Sequence, residues 1–270
     1  MRTEPTGPRW RRRREAAVQV LQFVMFVGLL GWLLVGGAQG MGYNWQWYRV
    51  PRYLFQMFDG EFYPGPLLKG LGVTLEISAL ALLLTIVIGL AVALLRLSGS
   101  VAGRWLAIGY IEAIRNTPLL VQLYIVYFVL APVLGVDRFW AGVLCLAVFE
   151  GAFAAEIFRG GIQAVPLGQW ESAWALGLPR RAALRHIVLP QALRVMLPPL
   201  AGLGVSLVKH SAIVSVIAVF DLMNEGRNVI SDTFMTFEIW LTVAALYLCV
   251  TVLLSAGVGV LERRLRGSAA

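Results

Sequence analysis

Charged side chains are scarce in this sequence. Asp, Glu, Lys and Arg make up only 14% of the 270 residues, whereas hydrophobic residues make up 59%. A soluble domain carries about 25% charged residues, so the composition excludes an ordinary soluble protein. Apolar runs of roughly 18 residues or more are long enough to cross a bilayer as helices. The sequence predicts an all-α integral membrane protein with about six transmembrane helices, at 17–38, 70–95, 105–131, 139–159, 191–220 and 237–261.

Cysteine and histidine are nearly absent as well. Cys145 and Cys249 both lie inside apolar runs, which excludes a disulfide framework. Histidine occurs only as His186 and His210, and neither has a second candidate metal ligand nearby in the sequence. Since a zinc site needs three or four such ligands, we predict no metal site in this chain.

Only two lysines are present, Lys69 and Lys209. A P-loop needs a glycine-flanked lysine that is followed by Ser or Thr, because backbone amides and the lysine together hold the phosphates. Lys69 is followed by glycine and Lys209 by His210, so neither completes the motif. We therefore predict that this chain is not an ATPase and holds no cofactor of its own.

Basic residues are distributed unevenly between the segments that connect the predicted spans. If the N-terminal tail is cytoplasmic, 16 of the 23 Lys and Arg residues fall on the cytoplasmic side and five on the other. This bias follows the positive-inside rule, so the net charge of +8 reflects membrane topology rather than nucleic-acid binding. Both termini are predicted to be cytoplasmic.

The sequence predicts three parts. Residues 1–16 form a basic tail, and residues 17–66 form an additional span followed by an extracytoplasmic segment rich in Trp and Tyr. Residues 67–265 form the main transmembrane domain. Aromatic side chains of this kind are typical of the membrane–water interface. A cleaved signal peptide over 1–38 is the alternative, but its apolar run is long and its exit is a poor cleavage site.

A cytoplasmic loop at 166–190 has an unusual composition. Its sequence ESAWALG, which begins at Glu171, predicts a short helix with an acidic first turn. Gly177 lies where a glycine ends a helix, and Pro179 follows it. So short a helix is unstable alone in water. Its apolar side must therefore pack on the membrane-facing part of the chain or in the groove of a soluble partner.

The spacing of this loop is similar to the EAA loop of binding-protein-dependent ABC import permeases. The pattern E-A-A-x3-G-x9-I-x-L-P is matched except that a serine stands at the second position; the matching residues are Glu171, Ser172, Ala173, Gly177, Ile187, Leu189 and Pro190. Further segments, among them YIEAIRNTPLLVQLYIVYF and SLVKHSAIVSVIAVFDL, resemble the polar amino acid branch of histidine, glutamine and glutamate permeases. The resemblance covers about residues 68–265.

The resemblance implies a type I ABC importer permease fold in a bacterial inner membrane. The loop helix would be a coupling helix that docks on a separate ATPase, and ATP and Mg would be bound by that partner. The expected partners are two ABC ATPase subunits, a second permease copy or a sibling permease, an extracytoplasmic substrate-binding protein, an amino acid substrate and membrane lipid. No nucleic acid is expected.

Several polar residues fall inside the predicted spans, where an ionisable group is costly and marks a polar pathway or an ion pair. Glu112 and Arg115, like Glu156 and Arg159, are three residues apart and suit structural ion pairs. The candidates for a substrate pathway are Glu150, Lys209, His210, Arg115 and Gln122.

Glu150 has no obvious partner in its own helix and is surrounded by Gly and Ala. One hypothesis is that it faces the pathway and contacts the substrate's ammonium or a cationic side chain. The other is a structural pairing with Lys209 or Arg115. Lys209 and His210 are alternatively expected to meet a substrate carboxylate.

Two other functions remain to be weighed. A self-sufficient secondary transporter of small polar solutes would need inverted repeats or an ion-coupling site, and the sequence shows no convincing repeat. A membrane enzyme would use Glu150, His186 and His210, but their spacing supports no shared site. Pro198 and Pro199 interrupt a predicted span and indicate either a hinge at the pathway or a packing kink.

Overall fold

The computed structural model describes the backbone of residues 9–40 and 42–267, so the first half of the predicted tail lies outside the described residues. The chain divides into two compact units, with the boundary between Gln46 and Trp47. The first unit contains one long helix, α1, at Arg9–Gly40. This confirms a helix over the first predicted span; whether it crosses the membrane stays a prediction, because its apolar stretch in the described residues is Val18–Leu29.

The second unit begins with short elements that the sequence analysis did not predict. A single 3₁₀ turn at Trp47–Arg49 leads to α2 at Pro51–Leu54. Two antiparallel strands follow, β1 at Phe55–Phe58 and β2 at Glu61–Pro64. Asp59 and Gly60 both have positive φ, which is the geometry of a two-residue hairpin turn whose twist matches the strands. The all-α class therefore holds for the spans but not for this segment.

Helices make up the rest of the unit. They are α3 (Pro66–Leu97), α4 (Val101–Arg115), α5 (Leu119–Tyr124), α6 (Ala131–Leu134), α7 (Arg138–Gln163), α8 (Leu167–Ala175), α9 (Arg180–Ala183), α10 (Leu189–His210), α11 (Leu222–Thr233) and α12 (Thr236–Gly267). Short π-helical turns at Ile125–Leu130 and Leu184–Val188 and a 3₁₀ turn at Ser211–Ile217 join neighbouring helices.

Four helices in the described part of the chain are long and apolar enough to cross a membrane: Pro66–Leu97, Arg138–Gln163, Arg180–Ile217 and Thr236–Leu265. A fifth is counted if α4 and the run Leu119–Leu134 form one span, although the two are bent by 106°. The described residues therefore contain four to five apolar spans, compared with the about six that the sequence predicts.

The span predicted at 105–131 is wrong as a straight helix. Asn116, Thr117 and Pro118 separate α4 from α5, because proline cannot donate the helical hydrogen bond and disfavours helical geometry in the residue before it. The span predicted at 191–220 also needs correction. It starts earlier, at Arg180, and stops at Ile217, and the separate helix α11 follows it.

α3 and α7 pack closely because small residues line their contact. A Cβ atom added to Gly89 would lie 2.5 Å from the Cβ of Ala154, and one added to Gly151 would lie 2.8 Å from a methyl of Ile88. Small side chains allow this approach of two helices inside a membrane. The helices α4, α10 and α11 pack on this pair.

The two ends of α3 carry different neighbours. Near its C-terminal end, Ala93 packs in one cluster with Phe158 and Val188, beside the loop between α7 and α10. Near its N-terminal end, Leu67 packs in another cluster with Leu222 and Met235. The loop predicted to be cytoplasmic and the β-hairpin therefore lie at opposite ends of the bundle, about 48 Å apart along a 32-residue helix.

Pro198 and Pro199 do not end α10, which runs through both. They line a cavity of about 600 Å³ together with Arg194 of the same helix and Glu262 of α12. The prolines therefore border a cavity near the loop end of the bundle, which fits either predicted role.

Candidate functional site

The loop helix α8 begins four residues before the predicted start at Glu171. Pro166 is its N-cap, and Gly168 is helical rather than part of a turn. The end of the helix is as predicted. Gly177 has a φ of +72°, which glycine adopts without the steric cost that a side chain adds.

Two backbone hydrogen bonds fix this end. The N–H of Gly177 donates to the carbonyl of Trp174 at 2.9 Å, and the N–H of Leu178 donates to the carbonyl of Ala173 at 3.1 Å. This pair of bonds is a Schellman motif. The helix therefore stops at a defined residue, and the chain leaves it in a fixed direction.

One side of α8 packs on the protein and the other does not. Ala173 is fully buried. Trp174 and Leu176, in contrast, are 52% and 77% exposed, and Trp170 contacts Trp174 at a ring distance of 6.2 Å. An exposed pair of large apolar side chains on a short helix is a surface suited to a partner. Glu171 and Ser172 are also exposed beside it.

The second half of the predicted motif leads into α10. Ile187 lies in the π-helical turn, and Leu189 and Pro190 form the first turn of α10. Since Pro190 lacks an N–H, the regular hydrogen-bond ladder cannot continue through it, which explains the wider turn before it.

Gln191 was missed by the sequence analysis. Its amide nitrogen donates to the side-chain oxygen of Gln169 at 3.1 Å and to the carbonyl of Ile187 at 2.9 Å. It therefore links α8 to the start of α10, so that the loop helix and the long helix are joined by a side chain. The only feature of the sequence that indicates this role is the position of a polar residue directly after Pro190.

Inside the bundle, Glu150 of α7 pairs with His210 at the end of α10. The Nδ1 atom of His210 lies 2.6 Å from Oε1 of Glu150. The Glu150 side chain is only 2% exposed, whereas the His210 side chain is 42% exposed. The hypothesis that Glu150 pairs with Lys209 or Arg115 is wrong, because His210 takes this position.

Aromatic rings extend from this pair to Arg115. The His210 ring meets Phe149 edge-on at 5.8 Å, Phe149 lies 5.4 Å from Phe153, and the guanidinium of Arg115 lies 5.3 Å from the Phe153 ring. Phe149 and Phe153 share a face of α7 because they are four residues apart. We call this continuous set the polar–aromatic strip; it consists of Arg115, Phe153, Phe149, His210 and Glu150. Three of the five predicted pathway residues belong to it.

Gln122 does not belong to the strip. It is buried, and its amide nitrogen donates to the Ile114 carbonyl at 2.8 Å and to the Thr117 hydroxyl and carbonyl at 2.7 and 3.1 Å. These acceptors lie at the break between α4 and α5. Gln122 therefore holds the bend, a structural role that its apolar sequence context concealed. Lys209 is exposed next to His210.

One of the two predicted ion pairs forms and the other does not. Glu112 and Arg115 do not pair: Asn116 donates to the Glu112 carboxylate at 3.0 Å, and Arg115 stacks on Phe153. Glu156 and Arg159 do pair, at 2.7 Å, and Arg96 of α3 joins the same carboxylate. This second contact ties α3 to α7.

The two histidines lie far apart in the structure. Among the described residues, no group of three or more His, Cys, Asp or Glu side chains could hold a metal ion. His186 lies in the turn before α10, where its Nδ1 atom is 3.0 Å from the carbonyl of Ala182. It is 24 residues from His210 along one helical run, or about 36 Å, so it cannot share a site with the Glu150 pair.

Comparison with known proteins identifies the family. Residues 85–267 match the model of the binding-protein-dependent transport system inner membrane component. The chain belongs to this family. It is a multi-pass membrane permease component of an ABC importer, and the predicted resemblance is confirmed.

The aligned region spans nearly the whole length of individual relatives. A probable glutamine ABC transporter permease of Bacillus subtilis is 42% identical over 72% of this chain and 91% of its own. The glutamine transport system permease of Escherichia coli K12 is 38% identical over 74% and 93%. An arginine transport system permease of B. subtilis is 36% identical over 75% and 93%.

Solved structures agree in fold. A chain of an amino acid ABC transporter crystallised with histidines is 39% identical, with a TM-score of 0.70 over 74% of this permease and 94% of that chain. A methionine ABC transporter in an inward-facing conformation is 20% identical, with a TM-score of 0.63 over 74% and 95%. The second likeness concerns the fold alone.

Proposed function

We propose that this permease forms the translocation pathway of an ATP-driven importer of polar amino acids and is coupled through α8 to a separate ATPase. The observation that carries the coupling is the outward apolar face of α8. Trp174 is exposed in the last turn of α8 and Leu176 is exposed at its C-cap, whereas Ala173 is buried and Gly177 fixes the end of the helix. A rigid, short helix with an apolar face suits a groove on a soluble partner.

The link from α8 to α10 gives this coupling a route. Gln191 binds both Gln169 of α8 and the backbone at the start of α10. α10 then runs to His210, which pairs with Glu150. A displacement of α8 by an ATPase would therefore act on the helix that ends at the polar–aromatic strip.

The strip supports an amino acid as substrate. Arg115 provides a cation for an α-carboxylate, and His210 is the exposed member of the buried pair. Glu150 is buried and held by His210, so a cationic substrate side chain would have to displace the imidazole to reach it. This geometry favours a substrate with an uncharged polar side chain, and two of the relatives above are named for glutamine.

The assembly we propose has further chains. Two ATPase subunits would bind ATP and Mg, a second copy or a sibling permease would complete the pathway, and an extracytoplasmic binding protein would deliver the substrate. The loop 166–190 and both termini would face the cytoplasm, in agreement with the distribution of basic residues.

Reconstitution of the purified complex in proteoliposomes tests the proposal. We expect glutamine uptake that requires ATP on the cytoplasmic side and the binding protein on the other side. The matched control is the same complex with an inactive ATPase. Uptake by the permease alone, driven by an ion gradient, would instead favour a self-sufficient secondary transporter.

A further inference from the structure

The β-hairpin at Phe55–Pro64 has one apolar face and one mixed face. Residues that pair directly across two strands lie on the same face, so Phe55, Met57 and Phe62 share one side. The rings of Phe55 and Phe62 stack at 6.0 Å on it. Gln56, Glu61 and Tyr63 lie on the other side, to which the register also assigns position 58, a phenylalanine. The Tyr63 hydroxyl donates there to the Glu61 carboxylate at 2.9 Å.

The apolar face is open within its own unit of the structure. Met57 is 64% exposed and Phe62 is 58% exposed. A two-stranded hairpin is marginally stable by itself in water, so such a face needs a cover. The hairpin also precedes residue 85, where the family match begins, and the transport function proposed above makes no use of it.

The attachment of the hairpin fixes its level relative to the membrane. β2 ends at Pro64, and α3 begins at Pro66 with only Gly65 between them. The Gly65 N–H donates to the Leu54 carbonyl at 2.7 Å, and a Cβ on Gly65 would clash with the Tyr53 carbonyl. The base of the hairpin is therefore held against the start of a transmembrane helix without a flexible linker.

The length of α3 allows its start to reach the headgroup region. The 32 residues of α3 extend about 48 Å, whereas the hydrocarbon core is about 30 Å thick and the whole bilayer about 40–45 Å. The hydrocarbon core itself is excluded as a location, because both outer edges of a two-stranded hairpin carry unpaired backbone groups. Aromatic and amphipathic side chains accumulate at the interface between these zones.

We propose that the hairpin lies on the lipid bilayer at this interface, with the face of Phe55, Met57 and Phe62 toward the acyl chains and the face of Gln56, Glu61 and Tyr63 toward water. The partner is thus a phospholipid surface, and the hairpin acts as an anchor that sets the depth of α3. This inference depends on the membrane location of the chain and not on which substrate it transports.

Adjacent residues on opposite faces provide a matched test. Met57→Cys and Gln56→Cys would each carry a nitroxide spin label, in a Cys145→Ala, Cys249→Ser background of the full chain. The samples are single chains in nanodiscs of phosphatidylethanolamine and phosphatidylglycerol. Relaxation by oxygen reports the bilayer, and relaxation by a water-soluble nickel chelate reports water.

We expect the oxygen-to-nickel accessibility ratio to be several-fold higher at position 57 than at position 56. Equal ratios with strong relaxation by nickel would show a face in water, and protection of position 57 from both reagents would show a face covered by protein. Either result overturns the proposal. A photo-crosslinking amino acid at position 57 in the chain with native cysteines gives a second reading, with lipid adducts expected and protein adducts contradicting it.

Discussion

The imidazole of His210 lies 2.6 Å from the carboxylate of Glu150, and only the histidine is open to its surroundings. This contact joins α10 to α7 across 60 residues of sequence. In the site proposed above, a substrate would therefore meet the exposed His210 before the buried Glu150, and the carboxylate would support the histidine.

Replacement of that histidine should change substrate preference. His210→Asp places a second carboxylate next to Glu150, and the added negative charge at membrane depth favours a cationic substrate. We expect glutamine uptake by the reconstituted complex to fall and arginine to become the better competitor, with a change in their ratio of about tenfold for each 1.4 kcal/mol of altered binding. An unchanged ratio would remove His210 from the substrate site.

Gly177 allows a prediction about coupling. Gly177→Ala places a side chain at a φ of +72°, where a non-glycine residue costs about 1–2 kcal/mol, and should loosen the end of α8. Less ATPase should co-purify, and fewer substrate molecules should be transported per ATP hydrolysed.

The matched control lies in the same helix. Gly168→Ala meets nothing within 4 Å at a helical position, and alanine favours helix there. We expect wild-type coupling for this variant. Equal losses for both variants would show that any change in α8 disturbs the complex, and the end at Gly177 would lose its special role.

Local signals in the sequence were sufficient to predict where the loop helix α8 ends. Gly177 marks a helix end because few other residues adopt its backbone geometry, and Pro179 strengthens the signal. The hairpin carried an equally local signal, the Asp59–Gly60 pair between aromatic residues, which is typical of a two-residue turn. The aromatic composition of this segment, in contrast, indicates only a location at the membrane–water interface.

Pairings between distant residues could not be predicted in this way. Glu150 and His210 are separated by two helix connections, so no spacing rule applies to them. Gln122 was assigned to the pathway because it interrupts an apolar run, yet its partners are backbone groups exposed by the break at Pro118. Only the folded chain shows that a polar residue inside a span serves the bend beside it.

Gln122 should therefore affect stability more than substrate preference. Gln122→Leu removes the hydrogen bonds to the carbonyls of Ile114, which is half-buried, and Thr117, which is exposed, at a cost of about 0.5–1.5 kcal/mol for each bond. We expect a lower Tm in nanodiscs, while the glutamine-to-arginine preference of the folded fraction stays constant. Gln56→Leu changes the same residue type at an exposed position and is the control. A shift in preference with unchanged Tm would return Gln122 to the pathway.

Asp221 connects stability to pH. It is fully buried at the N-cap of α11, where its carboxylate accepts a hydrogen bond from the Asn224 N–H at 3.0 Å. Burial raises the pKa of this carboxyl to about 6 from an ordinary value of 3.8. The folded protein therefore holds a proton that the unfolded chain has lost between these two values. Stability should fall by roughly 3 kcal/mol as the pH rises from about 4 to above 6, and then level off.

Asp221→Asn removes this titration and keeps a good N-cap residue. The Tm of the variant should exceed that of the wild type by a margin that grows as the pH rises from about 4 to 7, in thermal scans of the protein in nanodiscs. Asp137→Asn makes the same substitution at the N-cap of α7, where the residue is exposed, and is the matched control. If the margin is the same at both ends of the pH range, the ionised carboxylate carries no penalty in the folded protein, and the Tyr247 hydroxyl 3.5 Å away would be the group to examine as its compensating donor.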